Sequence, residues 1–462
     1  MAAPTALPAP PKPAHVPSPS RVVPGAPGAP VVPAPDGTPR VRLRHLRHVG
    51  AVPARVYGFV ALVLVGIIAL AAVIAVGADN ARSGLGEVAD TSAPRAAAAA
   101  DLYFALADLD AQVANVLLVG SDETIGNRQL ALRQMRERRA RITVDIQALS
   151  SGGAPTATVG ALINGLGRYD AYVAQARLAD EQVQDRPAGR PPILALNYFA
   201  SATTLLHDDL LPAADALGRG AEEKLASDAD SDGTHARWAA LAVGLVGLAL
   251  VVCLIIGQVW WARRFHRILV PGLAAVTIAV AALTGTAAVL FTDHASRLRD
   301  AQTQAFDPFL SLARARATAS DANADESRFV ILPDRARAYA ESFAAKSAQL
   351  ERVVPNERVA TRLEAFRRDD RTLRAAVAEG RLDVAVGLAT KVGRGNLAFD
   401  FYDYQTSLAQ VANANLADFE RRTDSADDAL SGWPWVPIAI LGVCVVLVLA
   451  SARPRLREYA QR

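Results

Sequence analysis

The stretch Val56–Ala78, VYGFVALVLVGIIALAAVIAVGA, runs for 23 residues without a charge. A helix needs about 20 apolar residues to cross a bilayer, so this segment is long enough to span one. Three more stretches qualify: Trp238–Ala262, Ile268–Thr292 and Trp433–Ser451. Each pair of spans encloses a long polar segment, so the unit Val56–Ala262 is repeated by Ile268–Arg453. The first span lies far from the start and is too long for the apolar core of a signal peptide.

Arginine and lysine placement predicts the orientation. The N-terminal tail, the short link 263–267 and the C-terminus hold 14 of the 49 basic residues and only two of the 46 acidic ones. Arg42, Arg44, Arg47, Arg263, Arg264, Arg267, Arg453, Arg455 and Arg457 sit beside the spans and set the topology. The two long segments are net acidic. Both termini and the link are therefore expected in the cytoplasm of a multi-pass plasma-membrane protein. The near-neutral total hides two opposite halves and gives no reason to expect nucleic acid; the basic flanks suit anionic headgroups of the lipid bilayer.

The expected fold class is all-α: four transmembrane helices and two extracytoplasmic helical-bundle domains. The order is a disordered Pro/Ala-rich tail with a basic flank (1–55), spans at 56–78, 238–262, 268–292 and 433–451, bundles at 79–237 and 293–432, a hairpin at 263–267 and a tail at 452–462. Pro8–Pro13 is a short polyproline stretch within the first tail, suited to an aromatic groove or simply to solvent. Both cysteines, Cys253 and Cys444, lie inside spans, so neither bundle holds a disulfide or a thiolate metal site.

Within the first bundle, apolar residues recur at steps of three and four, the seam period of packed helices. The stripes are Leu102–Val116, Leu132–Leu149 with Arg139 inside it, Leu162–Ala176, and Leu196–Leu217. Breakers at Gly120–Asp122, Ser150–Pro155 and Asp185–Pro192 separate them. An even number of helices returns the chain to the membrane, which predicts an up-down four-helix bundle. The second segment is expected to form helices over Asp293–Val330, Asp334–Val353, Asn356–Glu379 and Leu397–Leu430, with a short extra helix at Arg381–Thr390. Whether the two bundles pack on each other is not legible, nor is the oligomeric state, with a homodimer among the arrangements left open.

Signs of chemistry are sparse. No phosphate loop, metal-ligand spacing or nucleophile elbow occurs, so the expectation is a non-enzyme without cofactor. Asp101, Asp108, Asn115 and Asp122 recur every seven residues and line one face. That face suits a cationic group or a partner, and equally a solvated bundle surface. Arg139 sits in an apolar seam, where it suits a ligand carboxylate, a pair with Asp108 or Asp110, or a seam edge. Asp321–Arg328 (DANADESR) reads as a membrane-distal surface with an interaction site as the sharper alternative. Small residues at Ala249, Cys253 and Gly257, and at Ala281 and Gly285, suit either close helix contact or a lipid-facing surface. The spans hold no ionisable residue, which argues against a pump.

Leu102–Arg128 (LYFALADLDAQVANVLLVGSDETIGNR) resembles the first ectodomain helix of actinobacterial GlnX-type membrane proteins. Tyr198–Leu217 (YFASATTLLHDDLLPAADAL) resembles the returning helix, including its Leu-Leu-Pro-Ala turn. The four-span layout is similar over about Val56–Arg457. The resemblance implies a role in sensing amino-acid availability: a GlnH-like solute-binding lipoprotein outside and a PknG-like Ser/Thr kinase inside as partners, and no catalytic residue. The alternative is an envelope scaffold or an accessory subunit of a transporter.

Overall fold

The computed structural model describes residues 51–119, 128–265, 271–433 and 435–460. Among these the chain is helical throughout, with no strand. The helices are α1 (Ala51–Gly86), α2 (Ala93–Leu118), α3 (Arg128–Ser151), α4 (Thr156–Glu181), α5 (Ile193–Leu205), α6 (Leu211–Phe265), α7 (Pro271–Ala301), α8 (Asp307–Ile331), α9 (Ala336–Glu351), α10 (Glu357–Ala378), α11 (Leu382–Thr390), α12 (Leu397–Ser431) and α13 (Val436–Ala460). Four helical stretches are long and apolar enough to cross a membrane. Asp122, Arg42, Arg44, Arg47 and Arg267 lie outside the described residues, and Arg264, Arg453, Arg455 and Arg457 are placed by backbone alone; Arg263 is exposed at the end of α6.

Three of the apolar stretches run without a break into the polar helices. At 55 residues, α6 is about 80 Å long at 1.5 Å per residue. Helix α1 joins α2 through a single wide turn at Glu87–Ser92, and α7 joins α8 through another at Gln302–Phe306. A third, Leu206–Leu210, joins α5 to α6. Each wide turn is followed two residues into the next helix by a proline: Pro94, Pro308 and Pro212. A proline inside a helix lacks the N–H its turn needs and crowds the carbonyl four residues back. An extra residue in the preceding turn relieves both faults without ending the helix. The Leu-Leu-Pro-Ala segment is thus a widened helix rather than a turn. The fourth connection differs: α12 ends at Ser431 and α13 begins at Val436, flanking a Gly-Trp-Pro-Trp sequence.

The spans pack on one another through Val63, Ile67, Leu70, Val243, Leu254, Val280, Phe291 and Cys444, all buried. Tyr57, Leu62, Ile68, Leu245, Ile256, Ile278, Val443 and Val446 point away from that core and are exposed, as a lipid-facing surface requires. Close approaches among the spans include Gly247, whose Cβ would overlap Thr284, Gly257, whose Cβ would overlap Phe59, and Gly272, whose Cβ would overlap Ser451. Of the small residues at spacing four, Gly257 makes a close contact and Cys253 is half-buried against the span core, while Ala249, Ala281 and Gly285 are exposed, the lipid-facing alternative.

The two polar segments share one core. Helix α2 packs closely on α3 and α6 of its own repeat and on α8 of the other; α8 packs on α2, α9 and α12. Helices α2 and α8 therefore form the central pair, which explains their composition. Ala105, Ala107, Ala111 and Ala114 on α2, and Ala313, Ala315, Ala317, Ala319, Ala322 and Ala324 on α8, are all buried. Small side chains on every face let a helix be surrounded on all sides.

Candidate functional site

The seam between α2 and α8 holds a cluster of buried charge, with Asp108 and Asp110 on one helix and Asp325 and Arg328 on the other. Arg328 on α8 is 2% exposed and meets three carboxylates. Asp321 and Asp325 lie seven and three residues back, on the same helix face. Their oxygens accept from the Arg328 guanidinium at 3.2 and 2.8 Å. The third, Asp110, comes from α2 and closes a short charge-assisted bond across the repeats. Lys346 of α9 donates to Asp321 and Asp325, at 2.6 Å each. His207, in the wide turn before α6, lies 3.3 Å from Asp321. Tyr169 of α4 and Thr203 of α5 each donate to Asp110 at 3.0 Å.

Five helices and one wide turn thus converge on three carboxylates that face Arg328, Lys346 and the titratable His207. Isolated charges could not stand here; mutual pairing offsets their desolvation. Burial works against ionisation of Asp321, yet the His207 hydrogen bond and the charges of Lys346 and Arg328 hold it well below the usual carboxylate range. Burial alone would depress His207, but its bond to Asp321 and the charges of Asp321 and Asp110 outweigh that and raise it. Burial and the Asp110 charge push the Tyr169 phenol well up, which keeps it a donor.

Beside this cluster lies a cleft of about 540 Å³ between α2, α3, α8, α11 and α12, within the size range of small-molecule sites. Phe104, Asp108, Gln112 and Asn115 line it from α2, Arg138 from α3, Arg316 and Asn323 from α8, and Tyr402 and Gln405 from α12. The Arg316 and Arg138 guanidiniums sit 4.3 and 4.9 Å from the Phe104 ring centroid. Arg138 is neutralised by Asp108 at 2.5 Å. A third group lies between α8, α10 and α12. Glu326 is fully buried, and burial together with the Asp370 charge favours its neutral acid. Asp369 is pushed up to about 6 by burial and by its hydrogen bond and charge interaction with Asp400.

The residues singled out from sequence take definite places. Asp108 is buried and also accepts from Ser320 of α8 at 3.2 Å. Asn115 accepts from Ser327 of α8 at 2.7 Å. Asp101 is half-buried and pairs with Arg141 at 3.1 Å. The seven-residue row is therefore no solvated face; its described members turn toward α3 and the second repeat, because α8 covers what a lone bundle would expose. Arg139 takes the seam-edge position, pairing with Asp170 at 2.8 Å rather than with Asp108 or Asp110. The DANADESR segment is not a surface: Asp325, Glu326 and Arg328 are each at most 2% exposed. His207, Lys346, Arg316 and Gln405 were not singled out from sequence. The dense alanine around α8 was the available signal that its polar residues are interior.

Among the described residues, the fold and site are those of an all-helical protein with four membrane-competent helices and a body built around a charged inter-repeat seam. Residues 84–230 match the family described as the actinobacterial sensor domain. The match runs from the end of α1 through α5 and into α6, the polar part of the first repeat, and fits a sensing role for the chain. No curated protein and no solved structure gives a significant match.

Proposed function

We propose that this chain is a non-enzymatic transmembrane relay of the plasma membrane, with the polar body outside and both termini inside. The observation that carries the reading is mechanical. Helices α1–α2, α6 and α7–α8 run unbroken from the apolar stretches into the seam where the repeats meet. A shift of α2 against α8 therefore has a rigid path to the spans; such helix shifts are typically about 1–2 Å. The sensor-domain match supports sensing as the purpose, and the basic flanks support the orientation. The GlnX-type resemblance adds the partners: a GlnH-like solute-binding lipoprotein outside, amino acids as its solute, and a PknG-like kinase inside.

Two measurements test this. A pull-down of the full chain from detergent extract should recover both a solute-binding lipoprotein and a cytoplasmic Ser/Thr kinase; recovering neither sinks the partner assignment. With Cys253 and Cys444 replaced by alanine, new cysteine pairs between α1 and α13 should crosslink differently when the lipoprotein and its amino acid are added. An unchanged pattern would favour a static envelope scaffold.

A further inference from the structure

We propose that the cleft between the repeats is itself a binding site, and that its ligand is a small monocarboxylate carrying an N–H or O–H donor. The argument begins with Arg316. It is half-buried on α8, lines the cleft and stacks on Phe104. No carboxylate among the described residues lies within ion-pair distance of it, and its Nε is buried with no acceptor. Burial pushes its pKa down, with Asp101 opposing, but a guanidinium stays charged in proteins. A charge held this way at the wall of a cavity calls for an anion, and its planar fork suits a carboxylate.

The charge balance of the cleft selects among anions. Arg138 is already matched by Asp108, so Arg316 leaves a net charge of one. A monocarboxylate matches that single charge, whereas a doubly charged phosphate leaves one negative charge uncompensated in the cleft.

Two amides supply the rest of the recognition. Gln405 donates through Nε2 to the Arg316 carbonyl at 2.8 Å and to Ser320 at 2.9 Å. Gln112 donates through Nε2 to Asp108 at 3.5 Å. These acceptors fix which end of each amide is oxygen. Both Oε1 atoms are then buried acceptors with no donor, a costly condition that ligand donors would relieve. The cleft thus presents one unpaired cation and two unpaired acceptors. The exposed Tyr402 lies on its rim and leaves an entry from solvent. The walls come from both repeats, so an occupant would bridge α2 and α8 and bias the relay. That consequence rests on the proposed sensing role; the binding does not.

The test uses the full chain in detergent, followed by thermal unfolding and calorimetric titration. The probes are the twenty standard amino acids, two- to six-carbon hydroxy acids, the matching unsubstituted carboxylates and inorganic phosphate. At least one amino or hydroxy acid should raise the unfolding temperature and bind more tightly than its unsubstituted counterpart and than phosphate. Arg316→Gln should weaken that binding at least about tenfold, the scale of a lost charge-assisted bond. The exposed-site control Arg337→Gln should not. If Arg316→Gln fails to fold, Thr406→Trp, which fills the cleft and leaves Arg316 in place, should abolish binding instead. Absence of binding by every probe, tightest binding by phosphate, or binding that survives both variants overturns the proposal. Failed binding would leave a lipoprotein-fed relay intact, and a failed pull-down would leave direct binding intact, so the two ideas fail separately.

Discussion

Arg328 and Asp110 stand 218 positions apart in the chain, yet their side chains close a direct ion pair with both groups at most 2% exposed. The pair joins α8 of one repeat to α2 of the other at the centre of the body.

Removing Arg328 should be severe. Arg328→Met leaves Asp110 with only the neutral donors Tyr169 and Thr203, and leaves Asp321 and Asp325 to Lys346 and His207, and breaking a buried pair costs about 3–5 kcal/mol. Asp110→Leu with Arg328→Met should lose less than the two single changes added, because removing both leaves neither member of the pair without its counter-charge. Urea unfolding of the detergent-solubilised chain, followed by circular dichroism, measures both; strict additivity would contradict the pairing.

His207 should make stability depend on pH. Its folded pKa is raised by Asp321 and Asp110 against the opposing effect of burial. The folded state therefore binds more protons than the unfolded state above about pH 6.5, the usual histidine value. The stabilisation is fully present below that pH and is lost as pH rises through the folded value. Thermal unfolding from pH 6 to 9 should show this decline, and His207→Gln should flatten that component.

Asp369 works in a lower window. Its carboxyl is pushed up to about 6 beside Asp400, while an unfolded aspartate titrates near 3.8. Between those values the folded state holds the extra proton, so this group's contribution falls as pH rises from about 4 to about 6. Asp369→Asn should remove that slope in an unfolding series over the same range. A slope of unchanged size would assign it to other carboxyls.

Gly84 should tolerate no side chain. A Cβ there would stand 2.1 Å from Asp232 Oδ1 and 2.8 Å from its carboxyl carbon. Asp232 is buried and pairs with His294 at 2.9 Å, so α1, α6 and α7 meet at this point. Gly84→Ala should destabilise by about 1–3 kcal/mol, the usual cost of overpacking, and should disturb crosslinking between the spans more than a surface change of equal cost. Gly160→Ala, at an open helical site, is the matched control.

The helices of the body were largely readable in advance. The apolar stripe through Leu162, Leu166, Tyr169, Val173 and Ala176 predicts a buried face, and all five residues are buried. The short helix expected at Arg381–Thr390 is α11, Leu382–Thr390. The site was much less readable. Asp108, Asn115 and Arg328 were visible as polar residues with helical spacing, but spacing names a face and not what covers it. Arg316 and Gln405 gave no signal, since a lone polar residue on an amphipathic helix is ordinary until a cavity forms beside it.

Local chemistry accounts for what this sequence determined alone. Uncharged runs of about 20 residues define the spans, three- and four-residue periodicity defines the helices, and Pro94, Pro212 and Pro308 stand where the wide turns fall. All of these act over a few turns of backbone. The tertiary structure decided which repeat each face meets. Placing α2 on α8 converts two rows of surface-like charge into a buried network and leaves a cleft with an unpaired arginine. The partners in that network lie 212 to 218 residues apart, so the desolvation and pairing energies that specify them arise only once the two helices are in contact.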